Sequence, residues 1–597
     1  MGKAINKGLR LAAVASAGAL LLAACGGGTD SSESSTGEGS AAASAGTDEG
    51  GAAAADGGQK GGTITMLTNA EQWQHVDPQR MYTGADIAFF SGYTTRTLTQ
   101  YAYAPGEAGT ELIADMATDT GTPNEDATSW SFTLRDGVSF EDGTPVTCDD
   151  VKYGVSRTFA QDIITDGPTY AISYLDIPQG EDGSSVYKGP YTTDGNDTAA
   201  FDAAVLCSED GKTITFNLNR SVADFNYTVT LPAFSPVPAA ADTGETYDDA
   251  VVSSGPYKIT EYTKGQTMTL ERNENWDPAS DDYRPAYPDS ITVQFAQDPA
   301  AMDQRIIADA PEDQATIIYG NMQPENLATV FSSGDPRFEG RTYDGYDPYV
   351  RYTAINTTLV PNLKQRQAIV ACMNNAEYIA ARGGDFAGER ADGLVKPNLP
   401  LDYAPTGLWD DMYGEAIPLE GNPELGKKLI EESGEPMPAL TYQFPTNPVD
   451  EKIAASVQSS LARCGIEVSL EPIEAGQYYG IVFDPEQAKE LMRSGWGPDW
   501  LNASTVLPEL LGQTGGFNLS QVVDDAYEAK LQAALKILDR TEQGKAWQEL
   551  NKEAMQNAWV IPHLFGKAQS FWGSKIGNGY LWDAYGSLAF GDLYVMQ

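Results

Sequence analysis

The segment SGWGPDWLNAS, residues 494–504, places a single carboxylate between two tryptophans. Asp499 follows Trp496 by three residues and directly precedes Trp500, and the glycines and proline around it restrict or redirect the backbone. Two interpretations fit this pattern. The segment is either a surface turn whose aspartate caps a following helix, or a ligand pocket in which aromatic rings surround a charge.

The second interpretation predicts a cationic ligand. An ammonium group that enters a closed cleft loses hydration worth several kcal/mol, and only an opposite charge with good hydrogen bonds offsets that loss. Neighbouring tryptophans exclude water and lower the local dielectric constant, which strengthens the attraction to a carboxylate. Asp499 would then bind the ammonium. A sugar would instead stack on Trp496 and Trp500 and donate its hydroxyl groups to Asp499.

Catalytic motifs are scarce. The chain has two histidines, which limits triads and metal sites, and it contains neither HExxH nor GxSxG. The sequence SVYK at 185–188 fits SxxK, but the companion SDN and KTG motifs are missing. Asp149 and Asp150 could serve a glycosidase, but they are better placed to open the helix DDVKYGVSR. We therefore expect no enzyme, no cofactor and no metal site, and a secreted hydrolase is the least favoured alternative.

Composition narrows the class of partner. The formal charge is −46, and it becomes −49 once the three cations Lys3, Lys7 and Arg10 are removed with the N-terminal segment. A surface of this charge argues against nucleic-acid phosphates as partners. The body from about residue 60 is too long for one small domain, and the chain is 41% hydrophobic, which suffices for a large core.

The N-terminus indicates export and lipidation. Three cations precede the apolar run of residues 11–24, which is too short for a spanning helix and is typical of a signal peptide. The run ends in LAAC, which resembles the bacterial lipobox, so residues 1–24 would be removed and Cys25 diacylated. Two acyl chains suffice for stable anchoring to a membrane that the protein faces from the exterior or periplasm. The alternative is an ordinary secreted protein with an incidental cysteine.

Residues 25–60 are predicted to form a tether. After the cysteine this stretch has no aromatic and no large aliphatic residue, so it cannot bury a core. A coil of this composition has an end-to-end distance of roughly 30–35 Å, which lifts the folded body away from the membrane.

Four further cysteines remain in the body. An even number outside the cell suggests two disulfides with three possible pairings, and four buried thiols are the alternative. The residues are Cys148, Cys207, Cys372 and Cys464.

Strand and helix patterns both occur along the body. Short alternating segments near residues 62–67, 130–135 and 213–218 predict strands. Asn422-Pro423 before ELGKKLIEES and Gly434 predicts a capped helix. A second helix with apolar residues at i, i+4 and i+8 from Ile453 leads directly into an alternating strand. The chain is therefore predicted to be mixed α/β.

Five segments of the body carry a resemblance to a known family. In order they are Trp130–Thr158, Ser254–Asp277, Ile355–Val370, Asn422–Glu435 and Trp559–Pro562. The first, WSFTLRDGVSFEDGTPVTCDDVKYGVSRT, closely resembles a signature of the family 5 extracellular solute-binding proteins, which are the oligopeptide-, dipeptide- and nickel-binding components of ABC importers. The resemblance extends over nearly all of the chain after the tether.

The resemblance implies a type II periplasmic-binding-protein fold, in which two lobes close on a ligand and lobe I carries an extra subdomain. Hinge residues would absorb the backbone change while the lobes move rigidly. Pairing Cys148 with Cys207 and Cys372 with Cys464 would keep each disulfide inside one lobe. The implied limits are 61–350 and 566–597 for lobe I, about 85–212 for the subdomain, 351–565 for lobe II, and crossings near Tyr352–Thr357 and His563–Phe571.

The resemblance also assigns roles to site residues. In oligopeptide-binding members the "GW..D" segment supplies a pocket tryptophan and an aspartate that pairs with the ligand's α-ammonium, which match Trp496 and Asp499. An arginine three positions before that tryptophan, a partner for the ligand's carboxylate in some members, matches Arg493. Gly497 stands where those members often have cysteine. Trp500 completes the predicted pocket.

Other residues are weaker candidates. The tyrosines of residues 343–352 precede the first crossing and could line the cleft, although packing in the rim or core is favoured. His75 is interpreted as a loop residue and His563 as a structural one.

The implied function is capture of a peptide for an importer whose permease and ATPase are separate chains, by a monomer anchored through its lipid. Two alternatives stay open: a binder of an oligosaccharide or metal chelate, and a receptor for a peptide signal. Nickel is disfavoured by the scarcity of histidine.

Overall fold

The computed structural model describes residues 58–181 and 183–597. The predicted signal peptide, Cys25 and all but the last three residues of the predicted tether lie outside the described residues. Across those described ranges, every helix is too short or too polar to cross a membrane.

A five-stranded sheet begins the described body. Its first strand, Thr63–Leu67, runs parallel to both of its neighbours, and it buries Ile64 and Met66 while Thr63 faces solvent. This confirms the strand predicted near residues 62–67. In spatial order the strands are Thr316–Ile318, Thr63–Leu67, Ser290–Gln294, Thr267–Arg272 and Tyr257–Thr263.

A separate four-stranded sheet lies between residues 122 and 217, within the part of the chain predicted to hold the extra subdomain. Strand pairing places Trp130 opposite Phe216, and both side chains are buried. The helix Cys148–Arg157 packs near this sheet, and Asp150 accepts a hydrogen bond from the backbone of the N-cap residue Thr147, 2.8 Å away. The strands in order are Thr122–Pro123, Ser129–Thr133, Thr213–Asn217 and Val205–Cys207.

A six-stranded sheet organises the second half. Its strands Leu440–Pro445 and Val468–Ile473 are parallel, and the helix Pro448–Ala462 joins them. Parallel neighbours need such a crossover connection, which is usually a helix. Ile453, Val457 and Leu461 are buried, as their spacing predicted. The strands in order are Gly388–Arg390, Val560–Phe571, Thr342–Ile355, Leu491–Trp496, Leu440–Pro445 and Val468–Ile473.

Two long antiparallel strands, Thr342–Ile355 and Val560–Phe571, connect the two main sheets, and we call them the linking strands. The Ile355 end of the first strand and the Val560 end of the second lie within the six-stranded sheet. At the other end Thr342 pairs with Phe571, and the next residue, Trp572, forms a bridge to Ile317 in the five-stranded sheet. The fold is therefore mixed α/β and two-lobed. The predicted lobe limits at 350/351 and 565/566 fall inside these continuous strands.

The helices begin and end largely where local signals place them. In Pro423–Ser433 the side chain of Asn422 accepts from the Leu425 backbone N–H, proline occupies the first turn, and Gly434 adopts φ 71°. The other α-helices are Gly84–Tyr93, Tyr170–Tyr174, Thr198–Ala204, Phe225–Thr228, Pro299–Ala308, Pro324–Leu327, Leu363–Cys372, Asn375–Ala381, Tyr478–Val482, Leu507–Leu511, Asp525–Ala534 and Arg540–Gln556. Short strand pairs are Thr99–Tyr101 with Leu112–Ala114, Leu581–Trp582 with Ser587–Leu588, and Ile576–Gly577 with Tyr594–Val595.

Two disulfides join the four body cysteines as Cys148–Cys207 and Cys372–Cys464. The first ties the helix Cys148–Arg157 to the four-stranded sheet. The second lies under Gly426, where a Cβ atom would stand 2.2 Å from the Cys372 sulfur. Only glycine lets the helix Pro423–Ser433 approach the disulfide this closely.

Candidate functional site

The segment that flanks Asp499 leaves the six-stranded sheet at the end of the strand Leu491–Trp496 and turns towards lobe I. Asn502 caps the short turn that follows, because its side chain accepts from the Ser504 backbone. Asp499 caps neither this turn nor the helix Leu507–Leu511. Its own backbone N–H donates to the Thr505 hydroxyl, 3.2 Å away, which leaves the carboxylate available for other partners.

Two tyrosine hydroxyls from lobe I donate to the half-buried carboxylate of Asp499. Tyr82 Oη lies 2.9 Å from Oδ1, and Tyr170 Oη donates to Oδ2. Tyr82 stands just before the helix Gly84–Tyr93, whereas Tyr170 opens a short helix of its own. The carboxylate therefore lies at the contact between the lobes.

The surroundings of Asp499 are acidic. Burial raises the pKa of Asp499 to about 6; the two tyrosine hydrogen bonds lower it and the charge of Glu509 raises it. Burial likewise raises the pKa of Glu509, whose Oε2 accepts from the Gly516 backbone N–H at 3.1 Å. Within the described residues, neither carboxylate forms an ion pair. The charge of Arg220 lowers the pKa of Glu509, whereas no cation of the described residues does so for Asp499, and a ligand cation would supply that opposite charge.

The two tryptophans have different roles in the structure. Trp496 is half-buried, its indole N–H donates to the Thr505 carbonyl at 2.7 Å, and its ring lies 4.8 Å from that of Phe517. Trp500 is 3% exposed, and its indole N–H donates to Asp224 Oδ2 of lobe I at 2.8 Å. Trp500 is thus part of the lobe–lobe contact, whereas Thr505 and Phe517, the partners of Trp496 named above, lie in lobe II.

Asp224 anchors this contact from the lobe I side. The oxygen that accepts from Trp500 also accepts from the Ser504 hydroxyl, and the ring of Tyr170 packs edge-on against Trp500 at 4.7 Å. A cavity of about 770 Å³ opens beside Asp224, with Tyr227 on the lobe I side and Arg540 on the lobe II side. Asp499, Trp496 and Trp500 do not line this cavity, so it is separate from the carboxylate.

Arg493 is not brought to the oxygens of Asp499. It is 5% exposed, and its Nε donates to Asp450 Oδ1 at 3.2 Å; Arg382 approaches the same oxygen at 3.4 Å. Although burial opposes the charge, Asp450 raises the pKa of Arg493. A ligand carboxylate would have to share this guanidinium with Asp450, and the predicted role of Arg493 stays a prediction.

Both histidines are occupied by internal partners. His75 lies in a loop, with Nδ1 2.9 Å from Asp248 and Nε2 3.4 Å from Asp166. His563 is fully buried between Thr353 and Asn375, each 2.9 Å from a ring nitrogen. Burial lowers the pKa of His563 to about 3, so this imidazole is neutral and structural.

One tyrosine of the first linking strand reaches the site. A Cβ atom on Gly497 would lie 3.1 Å from the ring of Tyr349, so the ring packs directly on the backbone two residues before Asp499. Tyr352, by contrast, is a core residue. The glycine at 497 is explained by this close approach.

Comparison with known proteins identifies the family of the chain. The sequence model of "Bacterial extracellular solute-binding proteins, family 5 Middle" matches residues 111–518. The chain belongs to this family. The match covers more than half of the chain and includes Asp499, both tryptophans and Arg493.

Several curated family 5 relatives are similar over most of their length. The probable D,D-dipeptide-binding periplasmic protein DdpA of Escherichia coli (strain K12) is 23% identical, over 81% of this chain and 85% of its own. The periplasmic oligopeptide-binding protein OppA of Salmonella typhimurium is also 23% identical, over 74% and 77% respectively. Among solved structures, clavulanic acid biosynthesis oligopeptide binding protein 2 superposes with a TM-score of 0.81 at 28% identity, covering 92% of this chain and 98% of its own.

Several residues of the candidate site, most of them from lobe I, carry no signal in the sequence. Tyr82 and Tyr170 lie 417 and 329 residues from Asp499, and no motif marks either tyrosine. Asp224 and Glu509 are two among 84 acidic residues. The only available signal was proximity: Glu509 follows the tryptophan segment closely and lies on the next helix.

Proposed function

We propose that this chain is the binding component of an ABC importer and captures a peptide between its lobes by pairing the peptide's α-ammonium with Asp499. One observation carries the proposal: a carboxylate at the lobe–lobe contact, with a raised pKa and no cationic partner among the described residues. Relatives named for dipeptides, oligopeptides, di/tripeptides and glutathione support a peptide as the ligand class.

The chemistry of capture follows from the charges. An incoming ammonium restores the solvation that burial removes from Asp499, so the ionised form becomes the favoured one. Tyr82 and Tyr170 keep donating to the same carboxylate from lobe I, which makes binding and lobe closure favour each other. Trp496 would flank the first residue of the peptide. A ligand carboxylate would bind Arg493 only by sharing its guanidinium with Asp450.

Delivery depends on parts outside the described residues and outside this chain. The predicted diacyl group on Cys25 would hold the monomer at the membrane surface, and the closed lobes would present one surface to a separate permease and ATPase. Loss of peptide uptake with retained extracellular binding, after deletion of a candidate permease, would support this arrangement. Peptide-dependent signalling without uptake would favour a receptor instead.

The decisive experiment is native mass spectrometry of the mature protein, with identification of whatever co-purifies. A ladder of peptides of mixed sequence is the expected result, whereas a single oligosaccharide or a metal chelate would overturn the proposal. A defined pool of peptides with free or acetylated N-termini then tests the ammonium contact by calorimetry. Only the free N-termini should bind tightly.

Substitution of the carboxylate isolates its contribution. Asp499→Asn should weaken binding of the best peptide from the pool by about 3–5 kcal/mol, because it leaves a desolvated ammonium unpaired. Asp592→Asn is the matched control: the pKa of Asp592 is also raised to about 6 and Asp592 accepts a tyrosine hydroxyl, from Tyr580 at 2.8 Å, but it lies in the C-terminal region. Equal loss in the two variants would contradict the assignment.

A further inference from the structure

One buried lysine of lobe II holds both linking strands. Lys396 is 1% exposed, and its ammonium donates to the carbonyl oxygens of Asp347 at 2.5 Å, Tyr349 at 3.0 Å and Gly566 at 2.9 Å. A fourth contact reaches Asp347 Oδ1 at 3.1 Å. Two of these carbonyls belong to the first linking strand and the third to the second, so a single cation joins the strands that connect the lobes.

The contacts fall where the pairing of the linking strands is irregular. The register shifts between Tyr346 and Val350, and we call residues 347–349 the bulge. Lys396 binds the bulge carbonyls of Asp347 and Tyr349. The Tyr349 backbone N–H in turn donates to Asp347 Oδ1 at 2.7 Å. The shape of the bulge thus depends on one aspartate and one ammonium group.

The bulge forms one wall of the ligand site. Tyr349, its last residue, packs on Gly497, and the guanidinium of Arg351 lies over the same ring at 4.6 Å. The charge of Asp499 contributes to the raised pKa of Tyr349, although burial is the larger cause. A change in the bulge would therefore move an aromatic wall beside Asp499.

Several charges face the Lys396 ammonium. Burial lowers its pKa to about 8, Asp347 and Glu389 raise it, and Arg351 lowers it. A second ammonium lies nearby: the Lys396 and Lys567 ammonium groups both lie over the ring of Tyr346, 5.1 Å and 5.9 Å from its centre. The ammonium has three N–H groups for four acceptors, and the neutral amine would have only two and no charge.

We propose that Lys396 is a positioning residue of the ligand site, whose ammonium fixes the bulge of residues 347–349 and so holds Tyr349 against Gly497 beside Asp499. This inference rests on the proposed function, because it assigns Lys396 a role in that same site. Loss of the proton above about pH 8 would release the bulge and weaken binding through Tyr349 alone.

A double-mutant cycle tests the route through Tyr349. Affinity for the best peptide of the pool is measured at pH 7 in the wild type, Lys396→Met, Tyr349→Ala and the double variant. Lys396→Met should weaken binding about tenfold in the wild type and leave affinity nearly unchanged when Tyr349 is already alanine, since coupled residues do not contribute additively. An equal loss in both backgrounds would show that Lys396 does not act through Tyr349.

A pH series tests the same inference without any change at Lys396. The ratio of the dissociation constants of Tyr349→Ala and wild type is measured from pH 6.5 to pH 9.5, so that titration of the peptide's own ammonium cancels. The ratio should fall from about ten towards one with a midpoint near pH 8. A ratio independent of pH contradicts the inference. Failure of every variant to bind peptide would instead count against the proposed function.

Discussion

Tyr82 and Asp499 meet across the contact between the two lobes, with 2.9 Å between the tyrosine Oη and the carboxylate Oδ1. The residue proposed to bind the ligand is therefore also a residue through which the lobes contact each other. Because one carboxylate serves both purposes, its protonation state should affect ligand affinity, lobe closure and stability together.

Peptide binding should release protons near pH 6. The pKa of Asp499 in the unliganded protein is raised to about 6, and a bound ammonium lowers it, so a fraction of the molecules lose a proton on binding. Calorimetry in buffers of different ionisation enthalpy measures this fraction, and affinity should fall as the pH drops below 6. Asp499→Asn should not release these protons on binding, because asparagine does not titrate. The same proton release in wild type and variant would rule out Asp499 as its source.

Asp499 should also lower the stability of the unliganded protein at neutral pH. The pKa of Asp499 in the folded state lies above the unfolded value of about 3.9, so the folded state binds the proton more tightly. The resulting contribution to the free energy of unfolding is lost as the pH rises from about 4 to 6. The melting temperature of Asp499→Asn relative to wild type should therefore rise between pH 4 and pH 7. A difference that does not change with pH would contradict this expectation.

Tyr170 should affect the pH at which peptide affinity is lost on acidification. Its hydroxyl lowers the pKa of Asp499, so Tyr170→Phe should raise that pKa further and move the loss of affinity to higher pH. Tyr174→Phe, on the same short helix, is the control, because the Tyr174 hydroxyl is not a donor to Asp499. Dissociation constants measured from pH 5 to pH 7.5 distinguish the two variants.

Trp500 should stabilise the closed state. Trp500→Phe removes the indole N–H that donates to Asp224 and keeps most of the ring, so closure should lose about 1.5–3 kcal/mol, the usual range for a hydrogen bond to a charged group. Peptide affinity should weaken accordingly. In X-ray scattering at a fixed peptide concentration, the radius of gyration of Trp500→Phe should decrease less on addition of peptide than that of the wild type. Trp409→Phe loses an indole hydrogen bond of the same length, 2.8 Å, to the neutral Ala391 carbonyl inside lobe II and should leave closure unchanged.

Each disulfide should stabilise its own part of the fold. The bonds close segments of 59 and 92 residues, for which loss of unfolded-state entropy predicts about 4–5 kcal/mol each. Paired substitution of Cys148 and Cys207, or of Cys372 and Cys464, should lower the denaturant midpoint, and peptide affinity should be retained where the variant remains folded. Complete reduction of both bonds with no change in the denaturant midpoint would contradict this expectation.

Local sequence determined the elements whose signals lie within a single turn or strand. Asn422, Pro423 and Gly434 bound one helix because a cap, a fixed φ angle and a left-handed residue act over a few positions. The two-lobed fold was instead implied by the resemblance of five ordered segments to family 5 proteins. Asp499 was a candidate because it lies between Trp496 and Trp500 in the sequence, a pattern that fits a surface turn as well as a ligand pocket.

Tertiary structure alone decided which side chains share the site. Tyr82, Tyr170 and Asp224 come from lobe I, and they reach Asp499 and Trp500 only because the linking strands bring two distant parts of the chain together. The direction of a side chain matters equally: the Trp500 indole donates to Asp224 of lobe I, whereas the Trp496 indole donates to Thr505 of lobe II. Contacts across hundreds of residues depend on the packing of whole lobes, and that packing leaves no local pattern in the sequence.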